Sequence, residues 1–243
     1  MSRIVFEDVR ASALTPAQVE ALWDIHRQYV VRSRASFEAG LARSDDVLLY
    51  REGAGGPIRG FAVFNVVDVE LGGRTHVVIL ARWGFLDRAI RNKSPMQWAS
   101  IRAWLRQKRR RPFDPVYWMF TASTVSSYMA LLRTSGEPWP NRRGPTPPLY
   151  AELLDKTMTA LGEEGWDAAS GRLIRNGEVR YLEGVVARDV TPADPDIRFY
   201  QETNPRQDRG DSLACITRMT VPAILAYWHR MLHRRLFGKR KRR

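Results

Sequence analysis

The chain has 243 residues, with 39 Lys and Arg against 26 Asp and Glu, so its formal net charge at pH 7 is +13. A hydrophobic fraction of 44% is enough for a substantial core and excludes a disordered chain. The single cysteine, Cys215, excludes an internal disulfide framework and a cysteine-based zinc site, and no apolar run reaches the ~18 residues that cross a membrane.

The first half of the chain is predicted to contain four strands and two early helices. The strands are predicted at Ile4–Val9, Asp46–Tyr50, Arg59–Glu70 and Thr75–Leu86, and the helices from Thr15-Pro16 onward and over Ser36–Leu41. Gly72-Gly73 separates the last two apolar runs, and a pair of glycines at that place is a strong signal for a β-hairpin.

A basic turn follows the fourth strand. Ser94 is a preferred N-cap residue and Pro95 suits the first helical position, so a helix is predicted to begin there. A helix N-terminus presents unpaired N–H groups and a partial positive charge, to which Arg88, Arg91 and Lys93 add. The turn therefore predicts either a phosphate or pyrophosphate seat or a solvated basic loop before an ordinary helix.

The second half of the chain alternates helices and strands less regularly. Helices are predicted over Pro95–Arg109, Val125–Arg133, Leu149–Leu161 and Val221–Phe237, and strands over Val116–Ala122, Gly177–Val186, Asp196–Gln201 and Ser212–Met219. The Pro- and Arg-rich segment Pro138–Pro148 is predicted to be an irregular loop. Cys215 lies in one of the apolar runs and is expected to be a small core residue.

This order of elements predicts an α+β fold class, a three-layer domain in which helices flank a mixed central sheet. We expect one domain over residues 1–220, with an insertion at 138–194, followed by a basic amphipathic helix and tail over 221–243. From Val221 onward there are eight Lys or Arg and no acidic residue, so the rest of the chain, with 31 basic against 26 acidic residues, has a net charge of only +5.

The order of elements resembles the GNAT family, the Gcn5-related N-acetyltransferases. In that family a strand, two helices and a three-stranded meander lead into a helix whose N-terminus binds the pyrophosphate of acyl-CoA. Here Thr75–Leu86 and the helix from Ser94 resemble those elements, and Val116–Ala122 with Ser126–Gly136 resembles the family's fifth strand and fourth helix. The resemblance implies transfer of an acyl group from an acyl-CoA or acyl-carrier-protein thioester to an amine.

The resemblance also implies that donor contacts come from the end of the fourth strand and the turn after it. These residues are Phe85, Leu86, Arg88, Arg91, Asn92, Lys93 and Ser94. The family signature, Gln/Arg-x-x-Gly-x-Gly/Ala, is replaced by Arg-Ala-Ile-Arg-Asn-Lys, which has no glycine to let phosphate approach the backbone. Three alternatives stay open: basic side chains replace the backbone contacts, the donor is not an ordinary CoA thioester, or the site is empty.

Three side chains are candidates for the chemistry of acyl transfer, which needs a proton acceptor for the amine and a proton donor for the thiolate. Glu70 and His76, at the mouth of the predicted hairpin, are the candidates for the first role. The resemblance implies a helical tyrosine for the second, and Tyr128 is the candidate although it lies one turn before the family's position. The alternative is that all three are structural or solvent-exposed residues.

A polar loop between two predicted core strands is a second candidate site. Glu202, Asn204 and Arg206 lie in it and are the candidate substrate-binding residues; the alternative is a solvated hairpin loop. We expect no metal site, because the i, i+4 pair His229 and His233 has no acidic residue nearby and is surrounded by arginines.

The C-terminal helix is predicted to be amphipathic and basic, which is typical of helices that bind anionic membrane surfaces or acidic partners such as acyl carrier protein. Its candidate contacts are Arg230, Arg234, Arg235, Lys239 and Arg240. The alternative is a helix docked on the sheet with a frayed tail. No nucleic-acid-binding motif is visible, so nucleic acid is the less favoured partner for the basic charge.

Three function classes therefore stay open: a GNAT-like acyltransferase, which the resemblance favours; a non-catalytic GNAT-like module that binds a ligand or partner; and a basic protein associated with nucleic acid or membrane. The N-terminal residues contain no apolar stretch typical of a signal peptide, which predicts a cytoplasmic protein, with peripheral membrane association left open.

Overall fold

A central sheet of eight strands organises the chain. The computed structural model describes residues 4–87, 96–134, 137–175, 180–182, 194–226 and 229. Its strands are β1 (Ile4–Arg10), β2 (Val30–Val31), β3 (Asp46–Glu52), β4 (Ile58–Leu71), β5 (Arg74–Leu86), β6 (Val116–Ala122), β7 (Trp166–Asp167), β8 (Arg172–Leu173), β9 (Arg180–Tyr181) and β10 (Ser212–Met219). The order in the sheet is β1-β3-β4-β5-β6-β10-β8-β7, and β2 pairs separately with β9.

The sheet is mixed, as predicted. β5 and β6 run parallel, joined by a helical crossover, and the other paired neighbours in this sheet run antiparallel. The predicted strand Val116–Ala122 has the bounds of β6, and the predicted α+β fold class with helices flanking a mixed sheet is confirmed.

Six helices whose bounds fall within the described residues form the two outer layers. They are α1 (Pro16–His26), α2 (Arg34–Ala42), α3 (Met96–Arg110), α4 (Val125–Thr134), α5 (Pro148–Ala160) and α6 (Pro195–Thr203). Neighbouring residues of a strand point to opposite faces, so Val63 packs with α1 and α2, whereas Phe64 packs with α3. Helix α5 packs on the same face as α1 and α2, and α4 and α6 pack on the face of α3.

The β4–β5 hairpin has the predicted two-glycine turn. Gly72 and Gly73 have φ angles of +57° and +71°, the left-handed region that both central residues of a type I′ turn require. The register brings Glu70 opposite Thr75 and Val69 opposite His76 at this end of the hairpin.

The predicted strand Asp196–Gln201 is wrong, because this segment forms helix α6. Its apolar residues are spaced for either structure, but Asp194 caps the helix by accepting from the backbone N–H of Asp196, and Pro195 occupies the first turn. Tyr200, on the buried face of this helix, has no exposed surface and donates to the Ala122 carbonyl at 3.0 Å.

The segment expected to be an insertion contributes to the layers of the main fold. Its helix α5 packs against the sheet, and the β7–β8 hairpin extends the sheet beyond β10. Most of the predicted strand Gly177–Val186 lies outside the described residues, as does the C-terminal part of the predicted helix Val221–Phe237, of which residues 221–226 are helical. The predicted domain boundaries stay a prediction.

Candidate active site

The site is built where two parallel strands part. The β5–β6 ladder runs from Val77, paired with Val116, to Ala81, paired with Phe120. Strand β5 then continues to Leu86 with β4 as its partner on one side and no strand on the other in the described part of the chain. The sheet is therefore split beyond Ala81, and one backbone edge of β5 is exposed in the split.

A cavity of about 480 Å³ fills this split; we call it the large cavity. That volume is in the range of pockets that hold small molecules and cofactors. Its walls come from β4, β5, β6, α3, α4 and residues 217–224, and the apolar part of the lining includes Ala62, Phe64, Trp118, Phe120, Ile101 and Ile224.

The N-terminus of α4 forms another wall of the large cavity. Thr124 and Ser127 cap this helix reciprocally, each side-chain oxygen accepting from the other residue's backbone N–H at 3.1 Å. Both residues line the cavity, together with Ser126. The positive end of the helix dipole therefore faces a space with hydroxyl groups and apolar walls.

A β-bulge sits at the split. Val63 pairs with Trp83 and Phe64 pairs with Ala81, which leaves Arg82 as the extra residue on β5. The bulge interrupts the alternation of side chains, so that Arg82 contacts Glu163 in the turn after α5 while Trp83 packs beside Phe61 on that same face of the sheet. An arginine and a tryptophan are thus placed together at the point where the strands separate.

A second, smaller cavity of about 80 Å³ lies on the face of the sheet that carries α1, α2 and α5; we call it the small cavity. The two cavities have six lining residues in common, which belong to β5, to β6 and the residues after it, and to β9: Arg82, Trp83, Phe85, Thr121, Ser123 and Tyr181. The two cavities therefore lie on opposite sides of one shared wall at the split.

The described lining of the small cavity contains four arginines and one glutamate. Arg82 and Glu163 form an ion pair with side chains only 7% and 5% exposed, and Arg175 reaches the same carboxylate at 3.4 Å. Arg32 lies in the cavity wall and donates to Ser36 at 2.8 Å, and Arg43 lies at the exposed rim. The formal charge of these five groups is +3.

The closeness of these guanidinium groups affects the pKa values of Arg32 and Arg82. Burial lowers the pKa of Arg32, and the guanidinium groups of Arg175, Arg82 and Arg43 lower it further, while the Glu163 carboxylate acts in the opposite direction. Burial also lowers the pKa of Arg82, against the effect of the same carboxylate.

His26 lines the small cavity as a neutral imidazole. Its side chain packs among Trp23, Phe37, Trp83 and Phe85, and only 2% of its surface is exposed. Burial lowers its pKa to about 4, and the positive charge of Arg32 adds to the shift. Its Nδ1 is buried and has no hydrogen-bond partner within the described residues.

Tyr181 stands in the wall shared by the two cavities. Its strand β9 is held in place by pairing with β2, and the backbone N–H of Leu182 donates to the Tyr29 carbonyl at 2.8 Å. Burial raises the pKa of Tyr181, with a hydrogen bond to Ser123 acting in the opposite direction. The phenol therefore stays protonated near neutral pH and is available as a proton donor.

The candidate catalytic residues predicted from the sequence line neither cavity. Glu70 accepts from the Thr75 hydroxyl, and His76 contacts the Tyr117 hydroxyl at 3.2 Å. Both sit at the hairpin end of the β4–β5 pair, and the five residue steps from His76 to Ala81 span about 16 Å of strand. Tyr128 has no exposed surface, and its hydroxyl donates to the Pro140 carbonyl at 3.1 Å.

Of the predicted donor contacts, Phe85 and Leu86 line the large cavity. The Leu86 carbonyl accepts from the Tyr29 hydroxyl at 2.5 Å, which fixes the end of β5. The remaining predicted contacts, Arg88, Arg91, Asn92, Lys93 and Ser94, lie outside the described residues. The cavity nevertheless opens beside the strand end from which that turn departs.

The predicted substrate-binding residues of the polar loop line neither cavity. Glu202 is exposed at the end of α6. Asn204 is fully buried and links Tyr200 to the Asp211 carbonyl, so it holds the loop together. Arg206 approaches the buried carboxylate of Asp211 at 3.4 Å without hydrogen-bond geometry. Their roles in binding stay predictions.

Sequence reasoning missed the residues around the small cavity. One signal was present: Arg82 interrupts an otherwise apolar and aromatic strand, and a charged residue in a buried strand needs a partner. That partner, Glu163, lies about eighty positions later in a polar turn, where the sequence carries no sign of burial. Cys215 is fully buried, as expected of a core residue.

Within the described ranges, no three His, Cys, Asp or Glu residues come together as a group that could hold a metal ion. No helix among those residues has the length and apolar character to cross a bilayer.

Solved structures similar to this chain include several N-acetyltransferases. An aminoglycoside N-acetyltransferase in complex with CoA is 13% identical over 69% of this chain and 91% of its own, with a TM-score of 0.36. An aminoglycoside 6′-N-acetyltransferase from Acinetobacter haemolyticus is 11% identical over 55% and 90%, with a TM-score of 0.41. A bacterial toxin is 12% identical over 96% and 97%, with a TM-score of 0.39. No protein-family model and no curated protein matches the chain.

Proposed function

We propose that this chain, whose fold is GNAT-like, is an N-acyltransferase that binds a thioester donor in the large cavity. The observation that carries the proposal is the split between β5 and β6 beyond Ala81, which opens a cavity beside an unpaired strand edge. The donor is acyl-CoA or an acyl-carrier-protein thioester, and the acceptor is an amine.

The unpaired edge of β5 suits the arm shared by both kinds of donor. Their pantetheine arm contains two amide groups, and an extended chain with amides adds to an open strand edge through backbone hydrogen bonds. Arg82 to Phe85 supply that edge in the described part of the chain, and beyond them the Leu86 carbonyl is bound by the Tyr29 hydroxyl. The apolar walls, such as Phe64 and Trp118, suit the acyl group and the methylene units of the arm.

The reaction joins the amine nitrogen to the thioester carbonyl carbon and breaks the bond from that carbon to sulfur. The leaving thiolate takes a proton, and we assign its donor as Tyr181 because this residue lines the cavity and its phenol is protonated. The Tyr181 phenolate then takes up the proton that the amine nitrogen loses, so the reaction yields one amide and one thiol and restores the phenol. The N-terminus of α4, with Thr124 at its cap, faces the same space and stabilises negative charge there. Glu70 and His76, predicted from the sequence as proton acceptors, lie at the other end of β5.

Titration of the full chain with acetyl-CoA, long-chain acyl-CoA, free CoA and acylated carrier protein tests the donor site, with thermal shift and calorimetry as readouts. We expect saturable stabilisation by at least one thioester. Release of free thiol in the presence of an amine panel then tests transfer. The proposal is contradicted if none of the four donors binds.

A non-catalytic binding module is the second candidate function. The observation in its favour is that none of Glu70, His76 and Tyr128 lines the large cavity. Under this function a thioester would bind and persist without turnover across the amine panel. Thiol release above the rate of the uncatalysed reaction distinguishes the two functions.

A further inference from the structure

The described residues that line the small cavity carry an excess of positive charge. Among the residues that the structure describes, Glu163 is the one acidic residue of its lining, and it already accepts from Arg82 and Arg175. Asp211 lies behind the wall, where it accepts from the backbone N–H of Arg175 and faces Arg206, so it does not offset the other guanidinium groups. Like charges held together at partly buried positions are unfavourable unless a counter-charge joins them.

We propose that the small cavity binds the anionic group, a carboxylate or a phosphate, of the amine acceptor; this inference rests on the proposed acyltransfer function. Arg32 and Arg175 lie beside the space and Arg43 lies at its exposed rim, so an anion enters from solvent and meets guanidinium groups on several sides. Guanidinium groups pair with carboxylate and phosphate oxygens through paired hydrogen bonds.

The size and lining of the cavity fit a small anionic group. A volume of about 80 Å³ holds several water molecules, each of which needs on the order of 10–15 Å³ of such space, so one carboxylate or phosphate fits and a nucleotide does not. The hydroxyl-bearing residues Thr121, Ser123 and Ser212 also line it and offer further donors.

The position of the cavity assigns it to the acceptor rather than to the donor. The large cavity lies on the side of α3 and α4, whereas the small cavity lies on the side of α1, α2 and α5. They meet at the wall that contains Arg82 and Tyr181, beside the end of the β5–β6 ladder. An acceptor anchored by its anion in the small cavity therefore has its amine directed at this shared wall, on whose other face the thioester is proposed to lie. The acceptor class is an amine that carries an acidic group a few bonds away, as amino acids and amino phosphates do.

Two arginines allow a test that spares the buried ion pair. Arg32→Ala and Arg43→Ala, alone and combined, remove positive charge without uncovering Glu163. Arg109→Ala, an exposed residue at the end of α3, is the charge-matched control. Binding is measured by calorimetry with inorganic phosphate and with acetate at constant ionic strength. Thiol release from acetyl-CoA is measured with two matched pairs, phosphoethanolamine against ethanolamine and β-alanine against β-alaninamide.

We expect the anionic member of at least one pair to have a kcat/KM about tenfold or more above its neutral partner, the effect of one lost charged contact. The double variant should lose that preference and weaken anion binding, while Arg109→Ala keeps both. The pair that shows the preference distinguishes phosphate from carboxylate.

Two results would overturn the inference. The first is equal rates for anionic and neutral acceptors with the wild-type protein. The second is a double variant that loses affinity for CoA and keeps the acceptor preference, because the arginines would then bind the donor. Failure of the proposed function gives a different result. If no thioester binds but phosphate or acetate binds through Arg32 and Arg43, the anion site stands and acyl transfer does not.

Discussion

Arg82 and Glu163 form a buried ion pair that joins the bulge of β5 to the turn after α5, at the point where the sheet splits. The carboxylate also accepts from Arg175, so one acidic group holds two guanidinium groups from distant parts of the chain. The shape of the small cavity depends on this contact, since its floor is formed by these side chains.

Glu163→Gln should destabilise the protein strongly. The substitution keeps the size of the side chain but leaves Arg82 as a buried charge without a counter-charge, and removing one partner of a buried ion pair costs about 3–5 kcal/mol of the free energy of unfolding. Chemical denaturation at pH 7 measures it. Glu152→Gln removes an exposed partner of Lys156 and serves as the control, with an expected cost below about 1 kcal/mol. Similar losses in both variants would show that burial of the Arg82 pair does not matter.

The protein should become less stable as the pH is lowered, because of His26. Its pKa is about 4 in the folded chain and 6.5 as the ordinary value, so the unfolded chain binds more protons between these pH values. The contribution of His26 is complete above pH 6.5 and is lost as the pH falls toward 4, by about 3 kcal/mol. His26→Phe, which fits the surrounding aromatic cluster, should flatten the stability curve in this window. Urea denaturation from pH 4 to pH 7.5 measures the slope, and parallel curves for the two proteins would contradict the expectation.

Ala81→Phe should block donor binding. Ala81 is the last paired residue of the β5–β6 ladder and lines the large cavity, so a larger side chain occupies the space beside the open strand edge. We expect the Kd for the thioester to rise about tenfold or more, equivalent to about 1.4 kcal/mol. Calorimetry gives the Kd. Ala151→Phe, at an exposed position of α5, is the matched control and should bind the donor like the wild type.

Tyr181 and Tyr128 are the two candidates for the proton donor. Tyr181→Phe removes a hydroxyl that lines both cavities, and we expect kcat to fall about a hundredfold with little change in donor affinity. Tyr128→Phe removes the hydrogen bond to the Pro140 carbonyl, and we expect a stability loss of about 1 kcal/mol with a smaller effect on kcat. The pH profile of kcat in each variant provides the check. The reverse ranking of the two kcat values would assign the proton to Tyr128, as the family resemblance implies.

Deletion of residues 238–243 should weaken electrostatic association. Five of these six residues are Lys or Arg, and clusters of this kind bind anionic surfaces at low ionic strength. Co-sedimentation with vesicles rich in anionic lipid, and binding to an acidic carrier protein, compare the full chain with the deletion. Unchanged binding to both at low salt would contradict a role for the tail.

Much of the fold could be predicted because its signals are local. The Gly72-Gly73 turn between two β-branched runs defines the β4–β5 hairpin, and the apolar run of β6 is recognisable from its residues alone. The strand predicted at Asp196–Gln201 failed because Ile197, Phe199 and Tyr200 favour either structure, and the deciding signal was the Asp194-Pro195 helix start.

The candidate site could be predicted only in part. Phe85 and Leu86 follow from the end of a strand, which is a feature of the sequence itself. The arginine cluster comes from four segments that are distant in the chain, those of Arg32, Arg43, Arg82 and Arg175. Such a cluster exists only once β5, α2 and the segment after β8 are packed together, and no spacing along the chain records it.

The split also has a consequence for how the chain reaches its folded state. β4 and β5 are joined by a two-residue turn, so their pairing requires little loop-closure entropy. The parallel pairing of β5 with β6 closes a long crossover that contains α3. Closing it costs more chain entropy before the stabilising contacts between the two strands can form. The proposed site therefore lies where the β4–β5 hairpin, which closes locally, meets the β5–β6 pair, which depends on distant chain segments.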